Sequence, residues 1–165
     1  MQLDEPSAPT PIPAVADHEL DAPPWHRVES TLMATARLIR EAYDRRLAPL
    51  DLNLTQATIL AYLAEFGAAT QTMIAGHLGQ GRAATGVTID RLHERGMVTR
   101  MADPVDRRVW IVRLTPIGFD LVGRITTVDE VLRGELREGI PRSERRALTV
   151  LLQRLQENLH SAITS

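Results

Sequence analysis

The stretch that most narrows the possible folds is residues 97–114. Met97-Val-Thr-Arg-Met101 and Val109-Trp-Ile-Val-Arg-Leu114 are rich in β-branched and aromatic residues, and between them Ala102-Asp-Pro-Val-Asp-Arg-Arg108 is full of turn formers. This pattern predicts a β-hairpin. The other patterned segments of the chain have helical periodicity, so the fold is mainly α with one small β element.

Upstream of the hairpin, Asn53 or Thr55 caps a helix whose apolar face is Ile59, Leu60, Leu63 and Phe66, and Gly67 stops it. Thr70 caps a short helix with Met73, Ile74 and Leu78 inward, and Gly79 and Gly81 break the chain. A further helix runs from about Arg82 to Arg95 and ends at Gly96. Two short helices joined by a glycine-containing turn are the pattern of a helix-turn-helix, although an ordinary helical hairpin would share it. The hairpin decides for a winged helix. In that arrangement a helix can enter the major groove of DNA while the wing, here tipped by Arg107 and Arg108, reaches a neighbouring minor groove. The run Gly76-His-Leu-Gly-Gln-Gly81 fits neither a dinucleotide fingerprint nor a phosphate loop and reads as the turn of the helix-turn-helix.

Helices flank this lobe. From Pro24 onward Val28, Leu32, Ala36, Ile39, Tyr43 and Leu47 form one stripe, ended by Pro49. After the hairpin Thr115 caps a long helix carrying Ile117, Leu121, Ile125, Val128, Leu132 and Leu136, which Gly139 and Pro141 end. Ser143 caps the last helix, with Arg146 where a capping box would want glutamate or glutamine. There Leu148, Leu152, Leu155 and Leu159 make a near-heptad stripe with Leu151 beside it. So much leucine needs a partner: the long helix folded back, the helices of a second copy, or both.

Charge is unevenly spread. Residues 1–24 hold six prolines, five acids and no arginine, which predicts a disordered tail of charge −5. The remainder carries +3, matched by residues 70–114, where seven arginines face four acids. That concentration is either the footprint of a polyanionic partner or a solvated, ion-paired surface. Cysteine is absent, which excludes disulfides and thiol chemistry. The histidines show no ligand spacing, so no metal is expected. No nucleophile–base constellation or cofactor motif points to an enzyme. No apolar run spans a membrane and no leader pattern opens the chain, from which a cytoplasmic location follows.

Three local motifs carry a family resemblance: Thr88-Ile-Asp-Arg-Leu-His-Glu-Arg-Gly-Met-Val-Thr-Arg100, Asp103-Pro-Val-Asp-Arg-Arg108 and Leu114-Thr-Pro-Ile-Gly118. In order and spacing they resemble the recognition-helix exit, wing tip and start of the long helix in the MarR (multiple antibiotic resistance regulator) family of bacterial winged-helix transcription factors. The resemblance covers about residues 25–163. It implies a single domain over 25–165, with a winged helix-turn-helix lobe at about 53–114 and dimerisation helices at about 25–48 and 116–163. It also implies a homodimer on a pseudo-palindromic double-stranded operator, acting as a repressor that a small phenolic or other aromatic ligand releases.

Under that resemblance Arg82 is the foremost base or phosphate contact, since arginine can grip guanine in two hydrogen bonds. Ala83, Ala84, Gly86 and Val87 stand where the family offers serine, threonine or basic residues, so direct readout is thin, with thymine methyl contact through Ala83 or Val87, and DNA shape carries more of the specificity. Thr85 shares a face with Ile89 and Leu92 and reads as core, yet its place on the helix also makes it a candidate DNA contact, as it does Gly86 and Arg91. Gly86 should also loosen the helix. At the wing Arg107 and Arg108 are the minor-groove candidates, with Asp106 positioning one of them. Trp110 packs against the lobe or stacks on a ligand. His26, Arg37, Tyr43 and Tyr62 are the candidates for a ligand cleft, Arg37 foremost for a carboxylate. A different class of function, a winged-helix protein-interaction module without specific DNA binding, is favoured by the negative net charge and the polar-poor helix.

Overall fold

The computed structural model describes residues 31–103 and 109–164. By contact density the chain divides at Glu41/Ala42 into two units. Helix α1 (Thr31–Leu47) begins in the first; there Leu32, Ala36 and Leu38 are exposed and Ile39 is half-buried. Val28, the predicted start of its stripe, lies outside the described residues.

The second unit opens on the end of α1, where Leu47 is buried. Pro49 sits in a single 3-10 turn, Ala48–Leu50, that stops the helix. Asp51 then takes a left-handed conformation (φ 54°). Arg95 clamps this corner: its guanidinium donates to the Asp51 carbonyl at 2.6 Å and lies 3.0 Å from the carboxylate. Helix α2 (Leu54–Phe66) is capped by Asn53, which accepts from the Gln56 amide at 2.9 Å while the Gln56 side chain accepts from the Asn53 amide at 3.0 Å. This reciprocal box satisfies two otherwise orphaned donors. The Leu54 amide finds its acceptor in Asp44, at 2.6 Å.

The predicted hairpin is present as β2 (Val98–Ala102) and β3 (Trp110–Leu114), in register from Val98 opposite Leu114 to Ala102 opposite Trp110. A third strand completes the sheet: β1, only Ala69–Thr70, pairs antiparallel with β3 and gives the order β1-β3-β2. Two residues are too few to show alternation. Thr70 also performs its predicted duty, capping helix α3 (Gln71–Leu78) by accepting from the Met73 amide at 3.3 Å. Gly79 closes α3 in the left-handed conformation (φ 61°). Helix α4 (Arg82–Glu94) follows, and the His93 ring nitrogen bonds the Val98 carbonyl at 3.0 Å, tying the end of α4 to β2.

Ile59, Leu60, Ile74, Ile89, Leu92, Val98 and Val112, drawn from α2, α3, α4 and the sheet, are almost wholly buried and form one core with Leu121 and Ile125. Burying such a side chain is worth about 1.5–3 kcal/mol. Phe66 and Met73, expected inward, are exposed. Because α3 buries Ile74 and Ala75, Met73 falls with His77 on its outer side.

One junction joins the lobe to the long helix α5 (Pro116–Leu136). Thr115 caps α5 by accepting from the Gly118 amide at 3.2 Å, and its hydroxyl lies 2.6 Å from the Gly96 carbonyl. Its own amide donates to the Met97 carbonyl at 3.1 Å. Gly118 fits because it lacks a side chain: a Cβ there would lie 2.2 Å from the Met97 oxygen.

On α5 Leu121, Ile125 and Leu132 are buried, whereas Ile117 and Leu136, at its two ends, are exposed. Helix α6 (Arg142–Thr164) starts one residue ahead of Ser143, its predicted cap, and the Pro141 carbonyl accepts from the Arg145 amide at 3.1 Å instead. No residue of α6 is buried; Leu148, Leu151 and Leu159 are exposed. Among the described residues helix α5 makes no extended packing along it. None of the described helices is long and apolar enough to cross a membrane.

Candidate nucleic-acid interface

Helix α4 divides cleanly by burial. Thr85, Gly86, Ile89 and Leu92 are buried, while Arg82, Ala83, Ala84, Val87 and Arg91 are exposed. The spacing of Ala83, Val87 and Arg91, two steps of four residues, sets them on one face. Thr85 and Gly86 are corrected here as DNA contacts. The Thr85 hydroxyl, fully buried, donates to the Gly81 carbonyl at 3.1 Å. Gly86 marks a close approach of α3: a Cβ there would sit 2.7 Å from the Gln71 amide nitrogen, which donates to the Arg82 carbonyl at 2.8 Å. The glycine that looked like a weakness in α4 makes room for this bridge.

Electrostatics separates the arginines of the lobe into two groups. Arg95 is engaged by Asp51 and Arg100 by Asp90. Arg82, Arg91 and Arg113 have no ion-pair partner among the described residues. The free positive charge of α4 therefore sits at its N-terminal end and on its outer face. Asp106, Arg107 and Arg108 lie outside the described residues. Trp110, expected to pack on the lobe, is 54% exposed and flanks a hollow with Gln71, His93 and Arg100. It stands at the first position of β3, opposite the small side chain of Ala102, which offers a large ring little to pack on.

A second feature is a cleft of about 450 Å³ between the end of α1, α2 and α5. Leu47, Ala57 and Ile125 supply apolar lining; Tyr43, Asp129 and Arg133 supply polar groups. The Tyr43 hydroxyl donates to Asp129 at 2.7 Å, and Arg133 lies 3.4 Å from the other Asp129 oxygen. Burial, with the hydrogen bond and negative charge of Asp129 added, pushes the Tyr43 hydroxyl up to about 12 from 10.0. Of the four sequence candidates only Tyr43 is found on this cleft. Tyr62 instead belongs to a cluster of tilted rings with Phe66 and His77, centroids 4.9 and 4.5 Å away. Arg37 lies in the first unit, exposed, and His26 is outside the described residues. Asp129 and Arg133 were missed. Their one sequence signal is an acid and an arginine four apart beside the Ile125/Leu132 stripe, which any solvated helix edge also shows. Among the described residues no three histidine or carboxylate side chains gather to hold a metal ion.

Residues 50–109, from the turn before α2 to the start of β3, match the model of the MarR family. Over that stretch, about a third of its length, the chain is similar to the MarR family. Solved MarR-family structures extend the match over the flanking helices. One, of BpsR from Bordetella bronchiseptica, concerns regulation of its DNA binding by 6-hydroxynicotinic acid. It is 25% identical, with a TM-score of 0.72, over 81% of this chain and 98% of that one. A mutant MarR from E. coli complexed with operator DNA is 24% identical, with a TM-score of 0.73, over 84% and 96%. The S. aureus MepR–DNA complex is 21% identical, with a TM-score of 0.72, over 78% and 94%. The chain thus has the winged helix-turn-helix fold of these structures.

Proposed function

We propose that the chain is a cytoplasmic, homodimeric repressor that binds a pseudo-palindromic operator and releases it when a small phenolic or other aromatic ligand enters the cleft beside Tyr43. The observation that carries the reading is α4: an outer face with Arg82 and Arg91 free of acids, on a fold that MarR and MepR were solved with on DNA. Arg107 and Arg108 serve as minor-groove contacts and Asp106 as their brace. The domain extends over 25–165, and α1 and α6 pair with those of a second copy; the leucine stripe of α6, of which nothing is fully buried within one chain, supports this. Such a dimer sets its two α4 helices in successive major grooves about one helical turn apart.

For the ligand, the support is Asp129. It accepts a phenol hydroxyl from the chain itself, Tyr43, and a phenolic ligand would offer the same donor in competition. Release follows only if the ligand prefers the geometry that does not fit DNA. A second reading, a winged helix that contacts proteins instead, is favoured by the apolar side chains Ala83, Ala84 and Val87 on the exposed face of α4.

Titrating the full chain against the DNA flanking its own gene, with shuffled competitor, at two salt concentrations separates the two. The repressor reading expects tight, competitor-resistant binding that weakens steeply with salt. Exchanging Arg107 and Arg108 for alanine should flatten the logarithmic salt slope by about two for each half-site. Binding to shuffled DNA as strong as to the flanking DNA at both salt concentrations would favour the protein-contact reading.

A further inference from the structure

The exposed face of α4 has an unusual chemistry for a helix meant to read bases. Ala83, Ala84 and Val87 present only methyl groups, and Val87 is 52% exposed. The polar neighbours are all committed elsewhere. The Thr85 hydroxyl is buried on the Gly81 carbonyl, and the Thr88 hydroxyl donates to the Ala84 carbonyl at 3.1 Å. Gly86 has no side chain and is turned toward Gln71. Asp90 is engaged by Arg100. Between Arg82 and Arg91, then, the helix has no free donor to aim at a base edge, and its Asp90 carboxylate is already drawn to Arg100.

The major-groove edges of guanine, adenine and cytosine offer hydrogen-bonding groups, and thymine alone adds a methyl. A polar edge pressed against Val87 would lose its water and gain no partner, which is unfavourable. A thymine methyl loses nothing. From Ala83 to Val87 the helix advances about 6 Å, enough to cover about two base-pair steps. We infer that α4 selects operators by thymine methyl groups: Val87, with Ala83 or Ala84, seats on the C5-methyls of one or two thymines in each half-site, and Arg82 and Arg91 set the helix in register. This inference rests on the DNA-binding reading and specifies what the bound sequence must display.

The test uses the full chain and duplexes selected by it from a random pool. In the selected site each thymine is replaced singly by deoxyuridine, which keeps base pairing and the minor-groove edge and removes only the methyl. One or two positions per half-site should weaken binding about fourfold each, and about 15-fold when both half-sites are changed together, the value of a buried methyl group. At those positions 5-methylcytosine should bind better than cytosine. The variant Val87→Ala should bind the thymine site more weakly and lose most of the penalty for uracil. Sequence-preferring binding that no uracil substitution alters by more than about 1.5-fold overturns the inference while leaving the DNA-binding reading intact. Failure to select any sequence overturns both.

Discussion

Gly118→Ala tests whether the junction between lobe and long helix is as tight as the geometry says. The new Cβ would lie 2.2 Å from the Met97 carbonyl oxygen and 2.9 Å from a Leu114 methyl. Restoring ordinary contact requires a displacement of roughly 1 Å, and the Met97 carbonyl cannot retreat freely because it accepts the Thr115 amide at 3.1 Å. Overpacking of this kind costs about 1–3 kcal/mol, and loosening the hydrogen bond adds about 1 kcal/mol. Against this, alanine regains about 1 kcal/mol of helix propensity. The net loss is about 1–3 kcal/mol, a fall in Tm of roughly 3–10 °C for a chain of this size. The control is Gly76→Ala, in α3, where a Cβ would meet nothing within 4 Å; it should hold or raise the Tm. Thermal unfolding followed by circular dichroism reads both. A Gly118→Ala protein melting within about 2 °C of the parent would refute the reasoning.

Three further outcomes follow from the same structure. Tyr43 should ionise near pH 12; the phenolate absorbance of the Tyr62→Phe variant isolates it, and Asp129→Asn should bring it down. Because the folded hydroxyl holds its proton above its unfolded value of 10.0, its contribution to stability is complete below pH 10 and fades as pH rises toward 12. Thr85→Val should leave both stability and DNA affinity near the parent values: the Gly81 carbonyl keeps the Thr85 backbone amide at 3.1 Å, and the buried side chain touches no base. A loss of affinity above tenfold would restore Thr85 as a contact. Gly86→Ala should change Tm little, as about 1 kcal/mol of propensity is offset by displacing the Gln71 amide from the Arg82 carbonyl; amide exchange at residues 82–86 should nonetheless quicken. Slower exchange there would count against the bridge.

What the sequence displays well is whatever is written in one local segment. Asn53 with Gln56, Thr70, Thr115 and the glycines at 67, 79 and 96 each announce a helix end through the chemistry of their own neighbourhood, and the β2–β3 hairpin announces itself by branching and turn formers. Strand β1 escaped because its two residues become a strand only by lying against β3, some forty positions later. The site shows the same divide. Exposure of Ala83, Val87 and Arg91 follows from helical spacing, and the burial of Thr85 from sharing a face with Ile89 and Leu92. Gly86 could not be understood without Gln71, since the contact joins two helices. The cleft was less legible still: Tyr43, Asp129 and Arg133 meet across about ninety residues of chain, and nothing in a lone sequence says which helix edges will face each other.

Thr115 and Asp129 stand on one rod. They are separated by about 21 Å of helix, with the Gly96 and Met97 carbonyls gripping one end and the Tyr43 hydroxyl held near the other. With Thr115 as fulcrum, a sideways shift of about 2 Å at Asp129 is a rotation of about 5° at the sheet. Gly118 lies beside that fulcrum, so a side chain there, 2.2 Å from the Met97 oxygen, would push on the same carbonyl that grips the end of the rod.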